Sequence, residues 1–209
     1  MLKEIQEHPL AIDVDVDMEG YESMKEMVED ATANGCDAVV NCTGLGSSKL
    51  CDDDSLIGGR GILLNYERGC ARKLADESMT HDAAILTEDG PWGSSTNPAY
   101  IIPRGDVFVV GGTYYEGGKE ATLKDDEREQ LVQNASILGI DTTVASPVGE
   151  WAGFRPVRKT VRMEIDEELS VQSGVKVLHS YGHGGSGWTV YAGVAKDSVK
   201  MLGLDKDAN

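Results

Sequence analysis

Hydrophobic and polar residues at the start of the chain follow the pattern of a strand, a helix and a second strand. Between residues 10 and 17 apolar residues alternate with aspartates, which predicts a strand with one solvated face. Apolar residues then recur at helical spacing from 21 to 34, and Gly35 stands where a helix would end. The apolar run DAVVNCTG that follows is typical of a buried parallel strand. This part of the chain therefore predicts an α/β layer.

The middle of the chain has a different pattern, in which short apolar runs are separated by glycine, proline and aspartate. The runs are GRGILLNYE, AAILTE, AYIIP and DVFVVGGTYY. Short strands with turn residues between them predict a mostly antiparallel sheet rather than further βαβ units. A charged amphipathic helix is predicted after them, from residue 124 to residue 138.

Two strands and a helix are predicted in the last third of the chain. EWAGFRPVRKTVRMEI predicts an arginine-rich strand, and VKVLHSY predicts a second one. An apolar stripe recurs at helical spacing from residue 189 to residue 202, and we interpret it as a core surface formed by Tyr191, Ala195, Val199 and Leu202. The predicted fold class is α/β (α+β), a partial α/β lobe beside a mostly antiparallel sheet.

Acidic residues dominate the charge of the chain. It has 19 lysines and arginines against 36 aspartates and glutamates, a net charge of −17. This field repels phosphate backbones, so we expect no nucleic acid as a partner. No run approaches the roughly 20 apolar residues of a membrane span, and the start MLKEIQEHPL has no apolar signal core. We expect a soluble protein without a signal peptide or membrane span. Its end, DKDAN, lacks a peroxisomal targeting signal, and the sequence does not indicate a compartment.

The cysteines have no spacing that is typical of a metal site or of a disulfide framework. Cys36, Cys42, Cys51 and Cys70 lie 6, 9 and 19 residues apart, and no CxxC motif occurs among them. We expect reduced thiols and no metal site.

The glycine-rich stretch HSYGHGGSGWT contains the letters G-x-G-x-x-G from Gly182 to Gly187. In a dinucleotide site this motif lies between a strand and a helix, and a second strand with an acidic end follows. No such strand is predicted after residue 202, and the near-match GLGSSK has Lys49 in place of the third glycine. We therefore expect a strand-to-helix loop whose bare backbone approaches a flat ligand. The helix amides would favour negative charge, as on the pyrimidine edge of a reduced flavin.

The stretch VLHSYGHGGSGWTVYAGVA resembles the C-terminal signature of the D-amino-acid oxidase family of flavoenzymes. His179, Tyr181 and the glycines fit this signature, whereas Ser180 departs from it. Three further segments agree in order and spacing: DAVVNCTGLG, YIIP followed by VGGTY, and GFRPVRKTVRME. Together the four segments cover most of the chain from about Tyr21 to Leu202.

The resemblance implies a D-amino-acid-oxidase-like module that oxidises D-amino acids with FAD and O2. Its flavin lobe would take residues 1–60 and 165–209, and its substrate lobe would take residues 61–164. Arg155 would hold the substrate carboxylate, Tyr100 would add a hydroxyl, and the Gly185 carbonyl would receive the amino group. The resemblance implies FAD contacts for Thr43, Gly44, Arg60, Gly61, Gly184, Gly187, Trp188 and Thr189.

The chemistry of an arginine agrees with that role, although the sequence also allows a simpler one. A planar guanidinium binds a carboxylate through two parallel charge-assisted hydrogen bonds, which a lysine cannot make. In so acidic a protein, Arg155, Arg158 and Arg162 could instead form a solvated, salt-bridged strand face. We interpret His179 and His183 as packing or hydrogen-bonding residues rather than acid–base groups.

The chain also departs from the family. It has no counterpart to the family's N-terminal βαβ unit, whose GxGxxG motif binds the FAD pyrophosphate. In addition, Ile62 stands where the family usually has Gln, and Thr96 stands where it has a second active-site Tyr. Three lost hydrogen bonds of about 1.5–3 kcal/mol each would weaken FAD binding more than a thousandfold. We expect weak FAD retention by this chain alone, and an open sheet edge that a protein partner or an N-terminal half would cover.

Two hypotheses follow from these observations. The first is an FAD-dependent oxidase of D-amino acids, favoured by Arg155, Tyr100 and the glycine loop. The second is a catalytically inactive family remnant that acts as an accessory subunit of a larger assembly, favoured by the missing cradle, Ile62 and Thr96.

Overall fold

The computed structural model describes residues 20–70, 82–88, 98–117 and 120–205. The strand predicted at 10–17 and Thr96 lie outside these residues. The described strands form one sheet in the order β1-β8-β7-β2-β5-β4-β3, with β6 paired to β2. They are β1 (Ala38–Asn41), β2 (Ile57–Glu67), β3 (Ile85–Thr87), β4 (Ala99–Arg104), β5 (Val107–Gly111), β6 (Tyr115–Glu116), β7 (Gly149–Ile165) and β8 (Lys176–His183).

The described helices are α1 (Met24–Ala33), α2 (Ser47–Leu50), α3 (Asp125–Ile137), α4 (Glu167–Ser173) and α5 (Gly187–Met201). Single 3₁₀ turns at 44–46 and 184–186 precede α2 and α5. The predicted helices at 21–34, 124–138 and 189–202 are therefore confirmed, whereas α2 and α4 were not predicted. None of the described helices combines the length and the apolar character that crossing a membrane requires.

Helix α1 and the parallel strands β1 and β8 form the α/β part of the fold. The Ser23 hydroxyl accepts a hydrogen bond from the Glu26 amide and caps the helix, and Gly35 ends it with a φ of 70°. All four residues of β1 pair with β8 in parallel. The buried cluster between helix and strands consists of Met24, Val28, Ala31, Val39, Val175 and Val177.

The antiparallel part of the sheet is built around β2, which pairs with both β5 and β7. One face of this part packs against α3 and forms the larger core. Ile62 belongs to it and is 1% exposed, which places its side chain away from the opposite face of β2. The fully buried side chains here include Ile62, Leu64, Tyr66, Ile101, Phe108, Val110 and Leu131.

The apolar stripe of α5 is not a core surface, so that prediction is wrong. No residue of α5 is buried, and Tyr191 and Val199 are 49% and 42% exposed; Leu202, just after the helix, is buried. Helical periodicity shows that one face is apolar, but not which element covers it. Val40 in β1 is also exposed, so this strand is parallel as predicted but buried on one side only.

Strand β7 joins the two parts of the sheet. Its first half pairs with β2, and its second half pairs with β8 after an irregularity between Val157 and Arg162. The mixed α/β fold with a mostly antiparallel sheet is thus confirmed. The division into lobes at 1–60 and 165–209 against 61–164 stays a prediction.

Candidate functional site

The face of the sheet opposite α3 has a floor of glycines that other side chains cross. Gly59 and Gly61 belong to β2, Gly111 to β5 and Gly153 to β7. A β-carbon at any of these four positions would overlap an aromatic or arginine side chain that lies over the glycine. These glycines therefore make room for the functional side chains of the site.

Arg155 crosses this floor and reaches the glycine loop. Its guanidinium lies over Gly61, and its Cδ lies 3.3 Å from the position of a β-carbon on Gly185. Its Nη1 lies 3.5 Å from the Thr113 carbonyl. The structure thus brings the predicted residues Arg155, Gly61 and Gly185 together.

The other arginines of β7 differ from Arg155. Arg158 donates to Asp53 at 2.9 Å, and Arg162 donates to Glu164 at 2.7 Å. Within the described ranges Arg155 has no carboxylate partner. The salt-bridged strand face considered above therefore describes Arg158 and Arg162, whereas Arg155 is available for the carboxylate of a ligand.

Tyr100 lies beside Arg155 on the same face. Its ring crosses Gly111, with the hydroxyl oxygen 2.5 Å from the position of a β-carbon there. Burial raises the pKa of Tyr100 above its usual value near 10, although the charge of Arg155 acts in the opposite direction. The hydroxyl is therefore protonated at neutral pH and can donate a hydrogen bond.

Tyr114 is a site residue that the sequence reasoning missed. Its ring crosses Gly59, which pairs with Arg155 in the β2–β7 ladder. Burial raises its pKa, and its hydroxyl donates to Glu116 at 3.2 Å. The sequence signal was the pair of tyrosines that follows VGGT, and the first of them lies between β5 and β6, beside the glycine floor.

Arg60 lies on the opposite face of β2, which corrects the expectation that its side chain contacts FAD. Its guanidinium donates to both carboxylate oxygens of Glu127, at 2.6 and 2.7 Å, and to the Thr122 carbonyl. Both side chains of the Arg60–Glu127 pair are more than nine-tenths buried. The two-residue period of a strand turns Arg60 toward α3 and Gly61 toward Arg155.

Two glycine loops begin where the parallel strands β1 and β8 end. In open α/β sheets ligands bind beyond the carboxyl ends of parallel strands. A β-carbon on Gly44 would lie 3.7 Å from Pro156, and one on Gly184 would lie 3.7 Å from Val157, so the loops approach consecutive residues of β7. Both glycines have positive φ, 59° and 58°, which other residues adopt with strain. The predicted FAD-contact residues Thr43, Gly44, Gly184 and Gly187 thus lie in neighbouring loops.

A buried polar network links the first of these loops to strands β1 and β8. The Asn41 Oδ1 accepts hydrogen bonds from the amide and hydroxyl of Thr43, at 3.1 and 2.8 Å, and from the Ser47 hydroxyl at 3.2 Å. The Asn41 Nδ2 donates to Nδ1 of His179 at 3.2 Å, so Nε2 of His179 carries the proton and donates to Asp166 at 3.3 Å. Burial lowers the pKa of His179, although Asp166 acts in the opposite direction. This histidine is a neutral hydrogen-bonding residue.

The first turn of α5 carries the other predicted FAD contacts, Trp188 and Thr189. Both are exposed, and Ser186 at the N-cap makes no side-chain hydrogen bond to the helix. The first amides of α5 therefore remain available to an acceptor. With the flat glycine loop they fit the polar edge of a flavin ring.

The described residues contain no cluster of side chains suited to bind a metal ion. No group of three or more histidine, cysteine, aspartate or glutamate side chains within the described ranges could hold a metal ion. The four cysteines are free thiols.

The family described as FAD dependent oxidoreductase matches residues 13–201. The chain belongs to this family, which confirms the resemblance on which the site residues were chosen.

The relatives of known activity include oxidases of two kinds. D-aspartate oxidase 1 of Caenorhabditis elegans is 30% identical over 178 residues, which are 84% of this chain and 48% of that protein. A D-amino-acid oxidase of Rubrobacter xylanophilus is 32% identical over 169 residues, which are 81% of this chain and 47% of that protein. This chain spans about half the length of the curated relatives it matches.

Among solved structures, glycine oxidase from Geobacillus kaustophilus aligns with a TM-score of 0.61 at 16% identity. The alignment covers 81% of this chain and 42% of that one. The likeness supports the fold of the described residues.

Proposed function

We propose that this chain carries the substrate-binding face and the flavin-ring contacts of an FAD-dependent oxidase of D-amino acids. One observation carries the proposal: Arg155, which has no carboxylate partner among the described residues, lies over Gly61 and against Gly185. A carboxylate-binding cation beside bare backbone is the arrangement that positions an α-amino acid next to a flat cofactor.

Each of these groups has a separate task. The Arg155 guanidinium binds the α-carboxylate through two hydrogen bonds, and the protonated Tyr100 hydroxyl donates a further one. The Gly185 carbonyl accepts a hydrogen bond from the neutral amino group and so orients the α-carbon. FAD, when bound, supplies the acceptor for the hydride from that carbon, and O2 is then reduced to H2O2. The protein contributes orientation and exclusion of water rather than acid–base chemistry.

The test is FAD titration and peroxide release by the full chain with D-alanine. We expect the Arg155→Ala variant to raise KM by about 100-fold or more, because it loses two charge-assisted hydrogen bonds that are worth about 1.5–3 kcal/mol each. Lys159→Ala is the matched control, since it removes an exposed cation from the same strand. An unchanged KM for Arg155→Ala contradicts the carboxylate role.

A second candidate function is that of a catalytically silent accessory subunit. The observation that favours it is the apolar, exposed face of α5 together with β1, which has no partner on its outer side among the described strands. In this case a second polypeptide pairs with β1 and covers α5. Size-exclusion chromatography and flavin absorbance separate the candidates: a colourless protein stable only in a complex supports the subunit, and a yellow one that releases peroxide supports the oxidase.

A further inference from the structure

The buried side-chain amide of Asn41 has hydrogen-bond partners on both its oxygen and its nitrogen, and these partners fix its orientation. Its Oδ1 accepts from the amide and hydroxyl of Thr43 and from the hydroxyl of Ser47. Its Nδ2 donates to the Cys51 sulfur at 3.3 Å and to Nδ1 of His179 at 3.2 Å. A backbone N–H can only donate, so the Thr43 amide requires the oxygen of Asn41 on its side. The NH2 group of Asn41 is therefore turned toward His179.

This orientation makes His179 compatible with the loop in one protonation state only. Asn41 and His179 face each other because they are ladder partners in the parallel strands β1 and β8. Nδ1 of a neutral imidazole accepts from Asn41, whereas both nitrogens of an imidazolium donate. A proton on Nδ1 would point at the NH2 group of Asn41. Half a turn of that amide would relieve the contact, but it would present NH2 to the Thr43 N–H, which cannot accept.

We propose that His179 is a positioning residue of the glycine loop that follows β1: the neutral imidazole holds the Asn41 amide in the orientation that fixes Thr43 and Gly44, and the imidazolium releases them. The part of the inference that concerns FAD rests on the proposed function, in which Thr43 and Gly44 contact the cofactor. The consequence is a loop that loosens, and FAD binding that weakens, in mild acid.

The surroundings of His179 keep it neutral at neutral pH. It is 1% exposed, and burial lowers its pKa below the usual value near 6.5, although Asp166 acts in the opposite direction. A histidine whose pKa is lowered by folding stabilises the folded state above its unfolded pKa, and this stability is lost as the pH falls below that value. The titratable groups that face His179 are Asp166 at the start of α4, Arg162 and Glu164 in β7, Tyr181 in β8 and Cys51 after α2.

Amide hydrogen exchange of the full chain tests the inference without any cofactor. Between about pH 7.5 and about pH 5 we expect the protection of the Thr43 amide, corrected for intrinsic exchange, to fall about tenfold through loss of its hydrogen bond. The Cys36 amide, which donates to the Ala31 carbonyl at 2.9 Å, is the internal control and should keep its protection. His179→Asn retains an acceptor near the position of Nδ1 and takes up no proton, so its Thr43 amide should stay protected throughout.

FAD titration of the same proteins extends the test to the cofactor. The Kd of the wild type for FAD should rise about tenfold over this pH range, and that of His179→Asn should change less than about twofold. His179→Leu removes the acceptor and should weaken FAD binding at every pH. Asp166→Asn removes the carboxylate that favours the imidazolium but retains a helix cap, so it should move both transitions to lower pH.

Two results would overturn the inference and leave the proposed function intact. The first is protection of the Thr43 amide that does not change with pH, or that falls equally in the wild type and in His179→Asn. The second is an equal loss of protection at Cys36, which would mean that the whole fold opens in acid. If His179→Asn does not fold, the shift expected for Asp166→Asn decides. A wild type that binds no FAD at about pH 7.5 would count against the proposed function, and exchange at Thr43 would still decide the inference.

Discussion

Two arginines on neighbouring strands, Arg60 in β2 and Arg155 in β7, show how differently one residue type is used on the two faces of a sheet. Arg60 is buried and bound by both oxygens of Glu127. Arg155 is half-buried, lies across Gly61 and has no carboxylate among the described residues. The fold itself supplies the carboxylate for Arg60, whereas we propose that a ligand supplies the carboxylate for Arg155. The presence or absence of a carboxylate partner, rather than the residue type, therefore distinguishes the structural Arg60 from the proposed ligand-binding residue Arg155.

The largest effect should come from breaking the buried pair. Arg60→Met leaves the Glu127 carboxylate buried without its cation, and such a loss costs about 3–5 kcal/mol of unfolding free energy. Urea denaturation followed by circular dichroism measures it, and Arg155→Met should change the same quantity far less. If the two variants are equally destabilised, the contrast between the arginines is lost. The double variant Arg60→Met with Glu127→Leu should regain most of the stability, because it leaves no buried charge unpaired.

A methyl group on the glycine floor should impair binding rather than stability. Gly61→Ala places a β-carbon where the Arg155 guanidinium lies, so we expect KM for D-alanine to rise about tenfold or more, from loss of a carboxylate contact worth about 1.5–3 kcal/mol. Gly69→Ala is the matched control, since a β-carbon there meets no atom within 4 Å. A Gly61→Ala variant with unchanged KM would show that the guanidinium does not act from this position.

Acid should weaken the contact of Arg158 in β7 with Asp53. Hydrogen bonds, chiefly from the Ser55 hydroxyl, lower the pKa of Asp53 to about 2. Its carboxylate also accepts hydrogen bonds from the Tyr181 hydroxyl and the Arg158 guanidinium. A lowered folded-state pKa contributes stability above the unfolded value near 3.9, and that stability is lost as pH falls toward 2. Between pH 4 and pH 2 the wild type should lose about 1 kcal/mol more than Asp53→Asn in urea titrations. Equal losses would contradict the assignment.

The smallest effect is expected on the exposed face of α5. Val199→Ala should change the free energy of unfolding by less than about 0.5 kcal/mol, because the side chain is not buried. Leu178→Ala, in the fully buried part of β8, should cost about 2–5 kcal/mol. Thermal and urea unfolding of both variants measure this difference. A large loss in Val199→Ala would mean that the chain buries this face in solution.

The sequence predicted the described strands and the longer helices because their signals are local. The apolar runs and glycine turns around β2, β4 and β5, and the helical spacing and glycine stop of α1, lie within a few residues of the elements they define. The burial of α5 could not be predicted in this way. Whether Tyr191 and Val199 are covered depends on segments elsewhere in the chain or in a partner, and the helical period carries no information about them.

The candidate site was predicted in part. Arg155, Tyr100 and Gly185 were chosen on the family signature, and the structure brings them to one face. Arg60 was predicted to contact FAD because the surrounding sequence resembles the family. The orientation of its side chain depends instead on Glu127, 67 residues further along the chain. The sequence also could not predict that the side chains of Arg155, Tyr100 and Trp151 lie over glycines. This arrangement arises from pairing between strands that are distant in sequence.

Strand β7 has a consequence for how the protein unfolds. At about 3.3 Å per residue its 17 residues extend over about 55 Å, and they hydrogen-bond with β2 at one end and with β8 at the other. Among the described strands, loss of β7 leaves the pairs β1–β8 and β2–β5 in place but removes the ladders that join the parallel part to the antiparallel part. We therefore expect the two parts of the sheet to unfold as one cooperative unit, in which the two glycine loops and the glycine floor melt together rather than in sequence.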